Sequence, residues 1–183
     1  LNGEYVEMLK QVMDIFELLD DPAASGKAVN DLFEQRGFGD CVEVKTLEGP
    51  KGTTDFVRII IKGSDGKLSG GSAPTLGVTG RLGGLGARPE MIGFVSDGDG
   101  ALTAISAALK LCEMKKKGDV LPGDVIVTTH VCPDAPTSPH FPTPFMGSPV
   151  EMETINKLEV EMQVDAVLSA DTTKGNKIIC KRG

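Results

Sequence analysis

Glycine and proline are concentrated in two stretches of this 183-residue chain, and this distribution restricts where regular structure can form. Twelve of the 23 glycines lie between Gly63 and Gly100, and six of the 11 prolines lie between Pro133 and Pro149. Glycine loses more conformational freedom on folding than other residues, and proline lacks a backbone donor. We therefore expect loops in both stretches, and in particular no regular structure over residues 132–149.

Hydrophobic periodicity elsewhere predicts helices and strands. Apolar residues at helical spacing, or residues of high helix propensity, indicate helices over residues 4–19, 101–117 and about 150–162. Ser25 is the expected N-cap of a further helix that ends before Gly37. Two runs at residues 41–48 and 55–62 flank a Gly-Pro turn and predict a hairpin. Short apolar runs predict strands at residues 74–79, 91–96, 125–129, 166–169 and 177–180.

A hairpin followed by alternating strands and helices is typical of an α/β fold. We expect a three-layer sandwich with a mixed β-sheet and an N-terminal helical appendage. The predicted boundary places the appendage at residues 1–40 and the α/β domain at residues 41–183.

Charge and cysteine usage exclude several classes of partner. The formal net charge of -7 argues against a nucleic-acid ligand. No apolar run approaches the ~20 residues of a membrane span, and the N-terminal residues lack a signal-peptide pattern. The four cysteines show no CxxC spacing, so we expect reduced thiols in a cytoplasmic protein.

Two clusters of candidate functional residues follow predicted strands in the glycine-rich stretch. Arg81 and Arg88 lie among the glycines of residues 77–90, where a loop can either bind an anion through its backbone N–H groups or simply cross between strands. Asp97 and Asp99 precede the helix predicted at residue 101. These carboxylates are either ordinary helix caps or ligands of a divalent metal at the end of a strand.

The third cluster is the proline-rich loop after the strand at residues 125–129. Both histidines of the chain, His130 and His140, lie there with Cys132 and Asp134 between them. Asp171 follows a later strand in the same way. If the strands that precede Asp97, His130 and Asp171 are parallel neighbours, their side chains converge at one edge of the sheet, and His with carboxylates is a metal-ligand set.

The residues in these clusters resemble a bacterial and archaeal family of unknown function. The resemblance rests on five segments: Pro74–Pro89, Val95–Ala101, Thr129–Thr137, Phe145–Val150 and Ser169–Asn176. It covers nearly the whole chain. Because members of that family are longer, it implies that the α/β domain is incomplete at its C-terminus.

A more distant resemblance is to the zinc-dependent exopeptidases. In that family an Asp at the start of a long helix and a later strand-ending Asp bind metal, and Asp97 (or Asp99) and Asp171 match them. Arg81 and Gly83 stand where a His and an Asp are expected, and the segment from His130 to Asp134 stands in place of a glutamate pair. The resemblance therefore implies a zinc-exopeptidase-like or phosphorylase/hydrolase-like fold with a rebuilt metal site.

Two functions remain open at this point. The first is a metal-dependent hydrolase in which Asp97, His130 and Asp171 bind a divalent ion such as zinc. Asp134 or Asp99 then serves as general base, and Arg81 or Arg88 holds the carboxylate of a small-molecule or peptide-like substrate. The second is a non-catalytic protein that binds a small molecule or anion on the same fold. The N-terminal helices also suggest a homo-oligomer.

Overall fold

The computed structural model describes residues 4–81, 85, 98–139, 141, 145–160 and 163–171. Four helices are present in this part: α1 (Glu4–Asp20), α2 (Gly26–Gln35), α3 (Asp99–Lys116) and α4 (Met152–Val160). The strands are β1 (Val42–Gly49), β2 (Gly52–Ile61), β3 (Leu76–Gly80), β4 (Val125–Val131), β5 (Thr137–Ser138), β6 (Phe145–Met146) and β7 (Ala166–Ala170). Short 3-10 turns occupy Gly39–Cys41 and Lys67–Ser69.

Five of the strands form a mixed sheet in the order β1-β2-β4-β3-β7. The β1–β2 hairpin is antiparallel, and β2 is antiparallel to β4, whereas β3 is parallel to both β4 and β7. The three parallel strands therefore end at the same edge of the sheet, which we call the carboxyl edge. This confirms the expected α/β fold with a mixed sheet.

Helices α1, α2 and α3 cover one face of this sheet. The core on this side combines apolar side chains of the three helices with those of the central strands, including Ile15, Phe33, Ile105, Val57 and Val127. Because α1 and α2 contribute to the same core as β2 and β4, they are part of the packed structure. The division of the chain at residue 40 remains a prediction.

Helix α4 covers the opposite face. Ile155, which is fully buried, packs with Phe56 of β2, Leu47 of β1 and Val150 in a second apolar cluster. The sheet thus lies between two helical layers, as a three-layer sandwich requires.

Local sequence signals match the structure closely in the first half of the chain. The Ser25 side chain accepts a hydrogen bond from the Ala28 N–H and caps α2, and Gly37 follows the helix with φ +84°. The hairpin turn lies between Gly49 and Gly52 as expected. Within the described residues, no helix combines the length and the apolar run that a membrane span needs.

The prediction that residues 132–149 contain no regular structure was wrong. Thr137 pairs with Met146 and Ser138 with Phe145 in a two-stranded antiparallel sheet. Proline is compatible with this pairing because no proline occupies any of these four positions. The strands predicted at residues 91–96 and 177–180 lie outside the described residues.

Candidate functional site

The carboxyl edge is centred on Arg81, which directly follows the central parallel strand β3. Its backbone N–H donates a hydrogen bond of 2.8 Å to the carbonyl of Ala170, the last residue of β7. Asp171 comes next in the chain and is exposed. Arg81 and Asp171 are therefore neighbours across the end of the sheet. The predicted convergence concerned Asp97, His130 and Asp171, and it stays a prediction because Asp97 and the strand predicted before it lie outside the described residues.

The N-terminus of α3 approaches the same edge through two glycines. A Cβ atom on Gly100 would lie 2.0 Å from the carbonyl oxygen of Arg81 and 2.7 Å from that of Ala170. A Cβ atom on Gly80 would lie 2.4 Å from the carbonyl oxygen of Gly100. This close packing explains why glycine is required here, and it places the exposed Asp99 in the first turn of α3 beside the ends of β3 and β7.

Leu85, the next described residue after Arg81, lies at the end of β4. The backbone N–H of Leu85 donates to the Cys132 carbonyl at 2.9 Å, and the Leu85 side chain is buried in the main core. Leu85 thus has a structural role, because it joins the end of β4 and the apolar core. Arg88 and Asp97 lie outside the described residues, so their proposed roles remain predictions.

His130 is almost completely buried, at 1% exposure, near the end of β4. It pairs with Phe56 across the sheet, and paired residues project to the same face, so His130 lies on the α4 side. Two residues later, burial raises the pKa of the Cys132 thiol to about 11. Asp134 is exposed in the loop that follows, and His140 lies outside the described residues.

The guanidinium of Arg81 binds α4. Its Nη1 donates to Oδ1 of Asn156 at 2.8 Å, and Nη2 lies 3.1 Å from Oε2 of Glu159. The Glu159 side chain is 6% exposed, against 32% for Arg81. Burial raises the pKa of the Glu159 carboxyl, and the adjacent Arg81 charge opposes that rise.

Glu159 was not anticipated from the sequence, although a signal for it exists. It follows the buried Ile155 by four residues, and this spacing places both on one face of a helix. A carboxylate on the apolar face of α4 predicts a buried cationic partner. Local spacing does not identify Arg81 as this partner, because Arg81 is far from Glu159 in the chain.

Of the predicted metal ligands Asp97, His130 and Asp171, the structure describes the last two. His130 on β4 and Asp171 after β7 are separated by β3, and two strand spacings amount to about 10 Å between backbones. No group of three or more His, Cys, Asp or Glu side chains arranged to hold a metal ion occurs among the residues that the structure describes. Asp97, the third predicted ligand, lies outside the described residues, so the predicted metal-ligand set stays a prediction.

Comparison with solved structures finds partial similarity to two aminopeptidases and to a bottromycin maturation enzyme. A tomato leucine aminopeptidase mutant is 16% identical, with a TM-score of 0.44 over 72% of this chain and 28% of that chain. The bottromycin maturation enzyme BotP in complex with Mn is 15% identical, with a TM-score of 0.44 over 70% of this chain and 31% of its own. An M17 aminopeptidase from Trypanosoma brucei is 12% identical, with a TM-score of 0.42 over 70% and 28% of the two chains.

This chain thus spans less than a third of the length of each of these structures. No curated protein matches its sequence. A family model does match, over residues 45–183, which include β2, β3, β4, β7 and the whole carboxyl edge. The chain therefore belongs to the family described as "Protein of unknown function (DUF1177)", which confirms the resemblance to a family of unknown function.

Proposed function

We propose that this protein binds a small anionic molecule, a carboxylate or a phosphate, at the carboxyl edge, with Arg81 as its charged contact. The observation that carries the proposal is the Arg81–Glu159 pair: a guanidinium at the end of the central parallel strand binds a carboxylate there. Ligands of α/β sheets occupy this edge in general. The proposed ligand takes the place of the Glu159 carboxylate at the guanidinium.

The electrostatics of the pair support such an exchange. Guanidinium groups bind carboxylates and phosphates alike through parallel N–H donors. Because burial raises the pKa of Glu159, keeping this carboxylate charged in the folded protein is unfavourable, and Arg81 offsets part of that penalty. The first turn of the 18-residue helix α3 lies at the same edge, and helix N-termini favour anions.

A metal-dependent hydrolase acting on a small-molecule or peptide-like substrate is the second candidate. It is favoured by the meeting of the β3, β4 and β7 ends, which brings Asp171 beside Arg81 and His130 within two strands of both. This candidate requires Asp97, outside the described residues, to complete the ligand set with His130 and Asp171. In it, Asp134 or Asp99 accepts the proton of the attacking water, and Arg81 or Arg88 holds the substrate.

Thermal shift and calorimetric titration with inorganic phosphate and with acetate test the first proposal. We expect Glu159→Gln to bind either anion more tightly than the parent protein, because the internal competitor loses its charge. Arg81→Met should abolish binding. Arg58→Met is the matched control, because Arg58 faces the same α4 layer but binds Glu43 and the Leu158 carbonyl.

Two results decide between the candidates. Equal stabilisation of the parent protein and Arg81→Met by phosphate would exclude Arg81 as the anion contact and overturn the first proposal. Metal analysis of protein purified without chelator tests the second: stoichiometric zinc that is lost in Asp97→Ala supports the hydrolase, and metal-free protein argues against it.

A further inference from the structure

Helix α1 has two apolar faces, and one of them is turned to solvent. Ile15 and Leu19 are buried in the main core. Leu9, Met13 and Phe16 follow one another at spacings of four and three residues, so they line a different face of the helix over about 10 Å of its axis. These three side chains are 62%, 49% and 37% exposed. We call them the α1 stripe.

An exposed row of this kind points to a partner. Single apolar residues on the surface are common in monomers, whereas contiguous apolar patches mark interaction sites. The face of a surface helix that points away from the core is ordinarily polar. Lys10 and Glu17, both exposed, border the α1 stripe on the same flank, because they are seven residues, or about two turns, apart. The stripe is therefore an apolar row with a positive charge near one end of its flank and a negative charge near the other.

We infer that the α1 stripe is the interface of a homodimer in which two α1 helices pack antiparallel about a twofold axis near Met13. Such an axis turns each flank of the helix toward the same flank of the second copy. Positions 10 and 17 lie at nearly equal distances on either side of Met13, so Lys10 of each copy comes level with Glu17 of the other. Leu9 likewise comes level with Phe16 of the other copy, and the two Met13 side chains meet at the axis.

The flanking charges select this arrangement over others. Charges of opposite sign beside an apolar row determine orientation and partner choice when two helices pack. In the antiparallel dimer both Lys10–Glu17 pairs are attractive, whereas a parallel dimer turns this flank toward the opposite flank and brings neither pair together. The pattern is thus self-complementary, which commits the α1 stripe to a second copy of this chain. Because one helix supplies the apolar contact, we expect a small interface and a concentration-dependent dimer.

Sedimentation velocity of the full chain, over a concentration series up to about 1 mM, measures this association. The parent protein should shift from monomer to dimer as the concentration rises. Leu9→Lys should raise the dissociation constant about 100-fold, because a symmetric interface loses the apolar side chain twice. Leu168→Lys is the matched control, because Leu168 is 61% exposed and lies in the edge strand β7. This control should dimerise as the parent protein does.

Reversal of the flanking charges tests the antiparallel pairing. Lys10→Glu and Glu17→Lys should each weaken dimerisation about tenfold, because both charge pairs become repulsive. An equimolar mixture of the two variants should form a heterodimer of parent strength, since each chain then meets the opposite charge. Lys51→Glu, an equal change of charge in the exposed hairpin turn, should leave dimerisation unchanged. A parent protein that stays monomeric throughout the series, a Leu9→Lys protein that dimerises as the parent does, or a mixture no stronger than its separate variants would each overturn the inference.

Discussion

Replacing Arg81 by methionine should destabilise the protein in a manner that depends on pH. Methionine fills much of the same volume but removes the charge that faces Glu159. The Glu159 side chain, 6% exposed, would then be buried without its cationic partner. Asn156, whose Oδ1 accepts from Arg81, would lose a donor as well.

The expected magnitude follows from the exposure of the two side chains. Removing one partner of a fully buried ion pair costs about 3–5 kcal/mol of unfolding free energy. Arg81 is 32% exposed, so solvent screens part of its attraction for Glu159. We therefore expect a loss of about 2 kcal/mol at about pH 8.

The sign of the pH dependence is set by Glu159. Burial already raises the pKa of its carboxyl in the folded protein, and loss of Arg81 raises this pKa further. A group with a raised folded pKa binds its proton more tightly in the native state, so the unfolding free energy falls as the pH rises through that pKa. The loss caused by Arg81→Met should therefore shrink as the pH decreases toward the unfolded-state pKa of about 4.3.

Urea denaturation followed by circular dichroism, from about pH 8 down to about pH 5.5, measures this effect. This pH range stays above the sequence pI of 4.9. Near the pI the net charge is close to zero, and association of the protein is favoured. In a Glu159→Gln background the Arg81→Met effect should be small and independent of pH. An Arg81→Met loss that is constant across the range, or that persists unchanged in the Glu159→Gln background, would refute the reasoning.

Three further substitutions, with Leu168→Ala as a control, test packing at the carboxyl edge and elsewhere in the fold by urea denaturation. Gly100→Ala should cost about 3 kcal/mol or more, because its Cβ would lie 2.0 Å from the Arg81 carbonyl oxygen. Asp124→Ala should lower the unfolding free energy by about 2 kcal/mol, because the Asp124 carboxylate accepts hydrogen bonds from two backbone N–H groups. Hydrogen exchange of these two amides should become faster in the variant. Unchanged stability would contradict this prediction. Ile155→Ala should cost about 3 kcal/mol by loosening α4, whereas Leu168→Ala, at a 61% exposed position, should change stability by at most about 0.5 kcal/mol.

The elements that sequence reasoning located correctly depend on neighbours in the chain. Ser25 caps α2 because its side chain reaches an amide three residues away, and Gly37 ends that helix region because it adopts a positive φ. The hairpin between Gly49 and Gly52 is likewise closed by local turn geometry. Such interactions are specified within a few residues, so composition and spacing are enough to predict them.

The strand order could not be obtained in that way. β3 precedes β4 in the chain, yet it lies between β4 and β7 in the sheet. This position depends on contacts with α3, where Gly80 and Gly100 allow the helix to approach the strand end closely. The glycines were evident in the sequence as a group, but which pair faces which backbone is a property of the assembled fold.

The two candidate functions differ in the same way: the metal-dependent hydrolase rests on residue types in the sequence, and the anion-binding protein rests on a contact of the assembled fold. The predictions relied on residue types at strand ends, and the structure shows Asp99, Asp134 and Asp171 as exposed residues. Glu159 differs, because its carboxylate is buried and depends on Arg81 for compensation. In the described part of the carboxyl edge, the Arg81 guanidinium therefore binds an anion, and in this structure that anion is the carboxylate of Glu159. A ligand anion that takes this place would free Glu159 to accept a proton, so anion binding should be accompanied by proton uptake, and titrations in buffers of different ionisation enthalpy would detect it.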